Sequence, residues 1–332
     1  MAVSDVKLPE LHPGSVMVKM KACGICGSDL TAYQGTNKTV RYPVHGIGHE
    51  GVGVVEDMGN LDEKKADFAV GDRVVLEPYI PCGECHSCKK GHYNNCLNLK
   101  VAGVHTDGMM AEFCSYPADR VYRLPDSVND YRAALIEPLS IALHGIDRAG
   151  VKAGEYCLIT GAGPIGLLAA FGVLSRGGIP ILTDILEKRL AFAKEKGIPH
   201  VFHNKNGGLK DYLTEVTGGK LPECMVECTG SEWILKNMHE YVCHGGNIAL
   251  VGWAKEPVSV NTIRCMQKEL NLFPSRNSSG NFPEAIQLIC EGRIPVDDMT
   301  TRIIPMEEVE AVIRDMINRP QDYLKVVVDI EI

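Results

Sequence analysis

The chain has 332 residues, 45% hydrophobic and 23% charged, enough for two domains and a sizeable buried core. A formal charge of −8 and a pI near 5.8 argue against nucleic acid or an anionic membrane as partner. There is no apolar span of the ~18 residues a membrane helix needs, and the N-terminus lacks the basic and apolar regions of a signal peptide, so the cytoplasm is the expected compartment.

Residues 1 to about 150 are rich in Gly and Val, with short runs of strand character at Ser15 to Met20, Gly51 to Asp57, Asp72 to Leu76 and Met110 to Ser115. Glycine turns separate these runs, and no long amphipathic helix precedes Arg132. Residues 1–148 therefore read as a compact, mostly β domain. From Gly150 strands and helices alternate. Strands are expected at Tyr156–Ile159, Ile179–Thr183, His200–Phe202, Cys224–Glu227 and Asn247–Val251. Helices are expected at Leu167–Leu174, Glu187–Lys196, Leu209–Thr217 and Trp233–Val242. Such alternation predicts a parallel sheet wound on both faces, over residues 149–274. Helical segments at Phe282–Glu291 and Met306–Asn318 follow, and the apolar strand Lys325–Ile330 ends the chain. A late strand of this kind rejoins an earlier sheet, so residues 275–332 are expected to complete the first domain.

At the start of the second domain an apolar run ends in Gly161-Ala162-Gly163-Pro164-Ile165-Gly166, spaced G-x-G-x-x-G. A helix of small apolar residues and a second strand follow, and that strand stops at Asp184, eighteen residues past the last glycine. This is the order of a dinucleotide-binding unit. Gly161 allows the tight turn, Gly163 lets backbone approach a pyrophosphate, and Gly166 lets helix and strand pack closely. The helix N-terminus faces the phosphates with unpaired N–H groups and the positive dipole end. Asp184 is placed to accept hydrogen bonds from the ribose hydroxyls, and no arginine adjoins it, which favours NAD over NADP. Arg189, about one turn into the next helix, joins Gly161, Gly163, Pro164, Ile165, Gly166 and Asp184 as a cofactor-binding candidate.

Thirteen cysteines in a reducing compartment point to metal before disulfides, since four of them cluster. Cys82, Cys85, Cys88 and Cys96 have the spacing C-x2-C-x2-C-x7-C within a lobe at 81–97. Gly83, Gly91 and Asn94 let the chain wrap one tetrahedral ion. Four sulfurs leave no open position, so the site reads as structural zinc. An iron–sulfur cluster and plain buried thiols are the other readings, and the ferredoxin spacing is absent.

A second constellation is dispersed: Gly24-Ile-Cys26-Gly-Ser28-Asp29, then Gly48-His49-Glu50-Gly51, then Ile136-Glu137-Pro138. A thiolate, an imidazole and a carboxylate make a zinc site with an exchangeable position. Taken singly, Cys26 also reads as a core residue, His49 as a turn cap and Glu137 as a helix start. Cys23 with Cys26 forms a C-x-x-C, read either as a redox pair or as a buried thiol.

These motifs occur in one order, and the sequence resembles the zinc-dependent medium-chain dehydrogenase/reductases over almost its whole length, in the branch of polyol (sorbitol-type) and sugar-acid dehydrogenases. The resemblance implies an α/β protein with a GroES-like, mostly-β catalytic domain and a Rossmann doubly wound parallel-sheet domain, the active site lying in the cleft beside the latter. It implies that Cys26, His49 and Glu50 hold a catalytic zinc, with Glu137 a fourth ligand or the partner of its bound water. Ser28 matches the family's hydroxyl relay residue, but Thr31 stands where the family commonly has a histidine, leaving Tyr33 and His45 as candidates for the proton's exit. A homodimer or homotetramer is implied as well.

For substrate, the polar run Pro274-Ser275-Arg276-Asn277-Ser278-Ser279-Gly280-Asn281 resembles the region where polyol enzymes contact substrate. Arg276 is suited to fork onto a carboxylate or hydroxyl, with Asn277 beside it, and reads equally as a surface arginine or a cofactor contact. The function expected is hydride transfer between NAD(H) and a secondary alcohol or ketone of a small polyol or sugar acid, hexonate-like. The alternatives are a threonine-type or sugar-phosphate dehydrogenase of the same fold and, more remotely, a non-catalytic zinc-binding protein.

Overall fold

The computed structural model describes residues 1–37, 39–40, 45–61 and 66–331. They divide into two compact units, Met1–Glu137 with Phe282–Ile332, and Pro138–Asn281. In chain order the first unit carries strands β1 (Ser15–Ile25), β2 (Glu50–Asp57), β3 (Arg73–Leu76), β4 (Tyr79–Ile80), β5 (Lys100–Val101), β6 (Phe113–Pro117) and β7 (Val121–Arg123). The second carries β8 (Tyr156–Thr160), β9 (Ile179–Asp184), β10 (His200–His203), β11 (Cys224–Glu227), β12 (Asn247–Leu250) and β13 (Asn271–Pro274). The chain then adds β14 (Thr300–Pro305) and β15 (Lys325–Asp329) to the first unit. No helix among the described residues is long and apolar enough to cross a membrane.

The sheet of the first unit runs β14-β15-β1-β2-β3-β7, with β6 also paired to β1. β1 is longer than its expected span because Ala22-Cys23-Gly24-Ile25 continues as a fully buried strand. It accepts β2 antiparallel along its length, β6 on its first half and β15 on its second half. The C-terminal strand therefore does rejoin the first sheet. Val16, Val18, Met20, Leu76, Val326 and Val328 fill the core beneath it. The helix Val309–Asn318 closes that core with Val309, Val312, Ile313 and Met316, an i, i+3, i+4, i+7 stripe. The strand expected from Met110 begins at Phe113 instead. Met109 and Met110 are buried in a turn whose N–H groups donate to Gly48 and Ile47.

The second unit is a six-stranded, all-parallel sheet in the order β10-β9-β8-β11-β12-β13. The order reverses between β8 and β11, and in open α/β sheets the crevice at the carboxyl ends of such strands is where ligands bind. The helix Pro164–Ser175 is buried from Gly166 to Val173, which its uniformly apolar sequence requires. β13 and β14 lie outside the expected strands, and each ends in a proline.

Candidate active site

β1 and β2 pair with Gly24 opposite Glu50, so the chain ends just beyond them, Cys26 and His49, are carried to the same place. A side chain at position 24 would collide with Glu50, its Cβ lying 1.9 Å from Oε2, so glycine there makes room for the carboxylate. Cys26 caps the helix Gly27–Tyr33, donating its backbone N–H to Asp29 Oδ2 at 2.8 Å. The result is that one ligand atom each from Cys26, His49 and Glu50 lies within 4.8 Å of the others. Glu137, at the start of the helix Ile136–Ala149, stands outside that trio, although it acts electrostatically on His49.

Two partners of this site escaped the sequence reading. Lys325 on β15 is buried and donates to both Glu50 oxygens at 2.6 Å and to the Ile25 carbonyl at 3.1 Å. Tyr79 on β4 is buried and donates its phenol to Glu137 Oε1 at 2.5 Å. A lysine opening the apolar run Lys325-Val-Val-Val was the one local sign of the first, and nothing local signalled the second.

The electrostatics follow from burial. Burial opposes a charged His49, yet the Cys26 sulfur, Asp29 and Glu137 outweigh it and raise the imidazole well above its usual range. Burial pushes the Glu137 carboxyl up to about 7 against the pull of His49, and raises Asp29 as well. His49 Nδ1 and Ser28 Oγ are buried with no hydrogen-bond partner among the described residues. A thiol, an imidazole and a carboxylate converging within 4.8 Å form a donor set that fits a divalent cation of the zinc kind. Cys23 is instead a fully buried thiol, its pKa raised by burial, and a Cβ at Gly48 would come within 2.7 Å of its sulfur. Tyr33 is engaged with Glu310 and Arg314, and His45 is exposed with its N–H donating to Asp107.

Cys82, Cys85, Cys88 and Cys96 form a second group with all four sulfurs within 4.8 Å. Backbone N–H groups of Cys82 and Asn98 point at Cys96 Sγ, each at 3.3 Å. Those of Cys88 and Leu97 pull the Cys85 thiol down to about 6. Four sulfurs served by N–H donors fit a closed tetrahedral ion.

In the second unit Gly161 has φ +90 and donates to the Thr183 carbonyl at 2.7 Å. A Cβ on Gly166 would lie 1.8 Å from the Gly161 carbonyl oxygen, so the helix sits directly on the turn. Gly163 caps that helix with Pro164 and Ile165 in its first turn. Asp184 ends β9, and its two oxygens accept from the N–H groups of Ala162 at 2.5 Å and Leu186 at 2.8 Å. The carboxylate thus braces the glycine turn. Arg189 reaches back over the turn, its Nη1 lying 3.7 Å from a Cβ built on Gly163. Arg276 is exposed, Asn277 has φ +54, and the loop is fastened by Ser278 to Ser140 at 2.9 Å and by Asn281 to Asp147 at 2.7 Å.

Comparison with known proteins agrees with both units. Residues 12–126 match the alcohol dehydrogenase GroES-like domain and residues 164–291 match the zinc-binding dehydrogenase domain. An uncharacterized zinc-type alcohol dehydrogenase-like protein of Haemophilus influenzae is 40% identical over 98% of this chain and 94% of its own length. The L-galactonate-5-dehydrogenase of Escherichia coli is 31% identical over 94% of this chain and 91% of its own. A crystal structure of an alcohol dehydrogenase (rspB) from E. coli CFT073, complexed with NADH, superposes with a TM-score of 0.91 at 31% identity, covering 98% of this chain and 94% of that one. With a thiol–imidazole–carboxylate site in one unit and a glycine turn on a parallel sheet in the other, the chain belongs to the zinc-type alcohol dehydrogenase family, the zinc-dependent medium-chain dehydrogenases.

Proposed function

We propose that the protein is an NAD-dependent zinc enzyme that oxidises a secondary alcohol of a polyol or sugar acid, hexonate-like, to the ketone, or runs the reverse reduction. The observation that carries this reading is the convergence of Cys26, His49 and Glu50 to within 4.8 Å in a chain of this family. When bound, zinc supplies Lewis acidity that makes an alcohol oxygen acidic, and NAD supplies the hydride acceptor.

Cys26, His49 and Glu50 would hold the ion, and Glu137 orients a hydroxyl or water beside it. The Ser28 hydroxyl, buried and without a hydrogen-bond partner among the described residues, would relay the alcohol's proton outward, accepting it as it passes its own on. Gly161, Gly163, Pro164, Ile165 and Gly166 present a helix N-terminus to the pyrophosphate. The Asp184 carboxylate repels a 2′-phosphate while retaining lone pairs for ribose hydroxyls, which favours NAD, and Arg189 lies over the same turn. Arg276 and Asn277 are the residues we assign to a polar substrate. Cys82, Cys85, Cys88 and Cys96 would hold a structural zinc with no chemical role. The corresponding domain limits are 1–148 with 275–332, and 149–274. A homodimer or homotetramer belongs to the same reading, supported by Trp253, Ile263 and Met266, which are exposed on the second unit.

An NAD-coupled screen over polyols, aldonates, their phosphates and simple primary alcohols tests this, with metal content measured on the same sample. Two zincs per chain and fastest turnover of a polyol or aldonate are expected. Primary alcohols turned over far faster than either class would refute the substrate assignment.

A further inference from the structure

We propose that Tyr79 is a positioning residue for Glu137, and that through it the four-cysteine lobe sets the geometry of the metal site. The proposal rests on the zinc-dehydrogenase reading above and adds to it a link between its two metal sites.

Tyr79 is 2% exposed, and a phenol so deeply buried costs free energy unless its hydroxyl is bonded. Its bond goes to Glu137 Oε1 at 2.5 Å, a charge-assisted distance. The tyrosine is mounted on the lobe's own base. β4, which carries it, pairs antiparallel with β5, and the cysteines lie between those two strands. Two residues earlier, the fully buried Glu77 accepts the phenol of Tyr93, a lobe residue, at 2.6 Å. The same carboxylate accepts Tyr122 at 2.9 Å and Arg120 at 3.2 Å, both from the large sheet and its flank. The Arg120 guanidinium also stacks on the Tyr93 ring at 4.3 Å. One stretch, Glu77 to Tyr79, thus ties the lobe to the sheet at one residue and grips Glu137 at the other. Through this stretch a shift of the lobe is passed to the carboxylate.

The test uses the full chain with zinc, and with Co(II) exchanged into the Cys26 site, comparing wild type, Tyr79→Phe, Tyr93→Phe, Glu137→Gln and the Tyr79→Phe/Glu137→Gln double variant. Tyr79→Phe should keep two metals per chain and the KM for NAD, lower kcat about tenfold, the worth of one bond to a charged group, and shift the visible Co(II) bands. Adding it to Glu137→Gln should cost nothing further, because its effect passes through that residue. Tyr93→Phe should shift the Co(II) bands in the same sense by a smaller amount. Unaltered Co(II) bands and kcat in Tyr79→Phe, or losses that add in the double variant, overturn the positioning role. Wild-type Co(II) bands in Tyr93→Phe overturn the lobe's part in it. One metal per chain together with no NADH binding in the wild type would overturn the enzyme reading itself, independently of any variant.

Discussion

Lys325 and Glu50, 275 residues apart in the chain, meet as a buried ion pair with Nζ 2.6 Å from both carboxylate oxygens. The contact exists because β15 pairs with the second half of β1, bringing Val326 opposite Ile25, while β2 brings Glu50 opposite Gly24. The pair lies in the metal site itself, where the buried ammonium helps offset the acids. Its attraction repays the cost of desolvating two charges only because both oxygens are bonded.

Removing one partner should therefore be expensive. Lys325→Met strands a buried carboxylate and is expected to cost about 3–5 kcal/mol in urea unfolding. Lys325→Met/Glu50→Gln should recover much of that loss. A single variant within about 0.5 kcal/mol of wild type would show the pair to be dispensable.

The two cysteine groups should fail differently. Cys26→Ser is expected to leave one zinc per chain and a near-normal melting temperature, with activity down by more than about a hundredfold. Cys85→Ser removes a ligand from a closed site whose binding energy is folding energy, so it should unfold the lobe and lower the melting temperature. Equal stability losses in the two variants would contradict this division.

The glycine turn offers a sharper contrast. Gly166→Ala puts a Cβ 1.8 Å from a backbone oxygen, so it should destabilise the second unit and abolish NADH binding together. Gly163→Ala meets nothing nearer than Arg189 Nη1 at 3.7 Å, an ordinary contact. It should fold normally while weakening NADH about tenfold or more, by filling the space left for a pyrophosphate. Fluorescence titration with NADH, alongside thermal melts, separates the two.

Acid sensitivity has one clear local source. Lys210 and Arg264 hold the Glu240 carboxyl down at about 2. A depressed carboxyl contributes stability above its unfolded pKa near 4.5 and loses it as pH falls toward 2. Lys210 and Arg264 are about half exposed and the pairing is screened, so Glu240→Gln should cost under about 1 kcal/mol at neutral pH. That difference should shrink between about pH 4.5 and 2. A difference that grows on acidification would reverse the sign of the argument.

Two features were legible in the residues alone, and both are local. The four cysteines lie within one short wrapping segment, where spacing itself limits the distance between sulfurs. The run Gly161 to Gly166 sets its own turn, because a Cβ at its end would strike the backbone at its start. Pairing partners three hundred residues apart leave no such trace. That Cys26 and His49 converge depends on the register of β1 against β2, and Lys325 arrives only through β15. Tyr79 reaches Glu137 through burial that no spacing encodes. Nor does the order of residues show that the Asp184 oxygens brace the turn, where two backbone N–H groups need acceptors. Short-range geometry is written in the order of residues because few bonds connect them. Charge partners across a sheet are chosen by strand register, which the whole core sets at once.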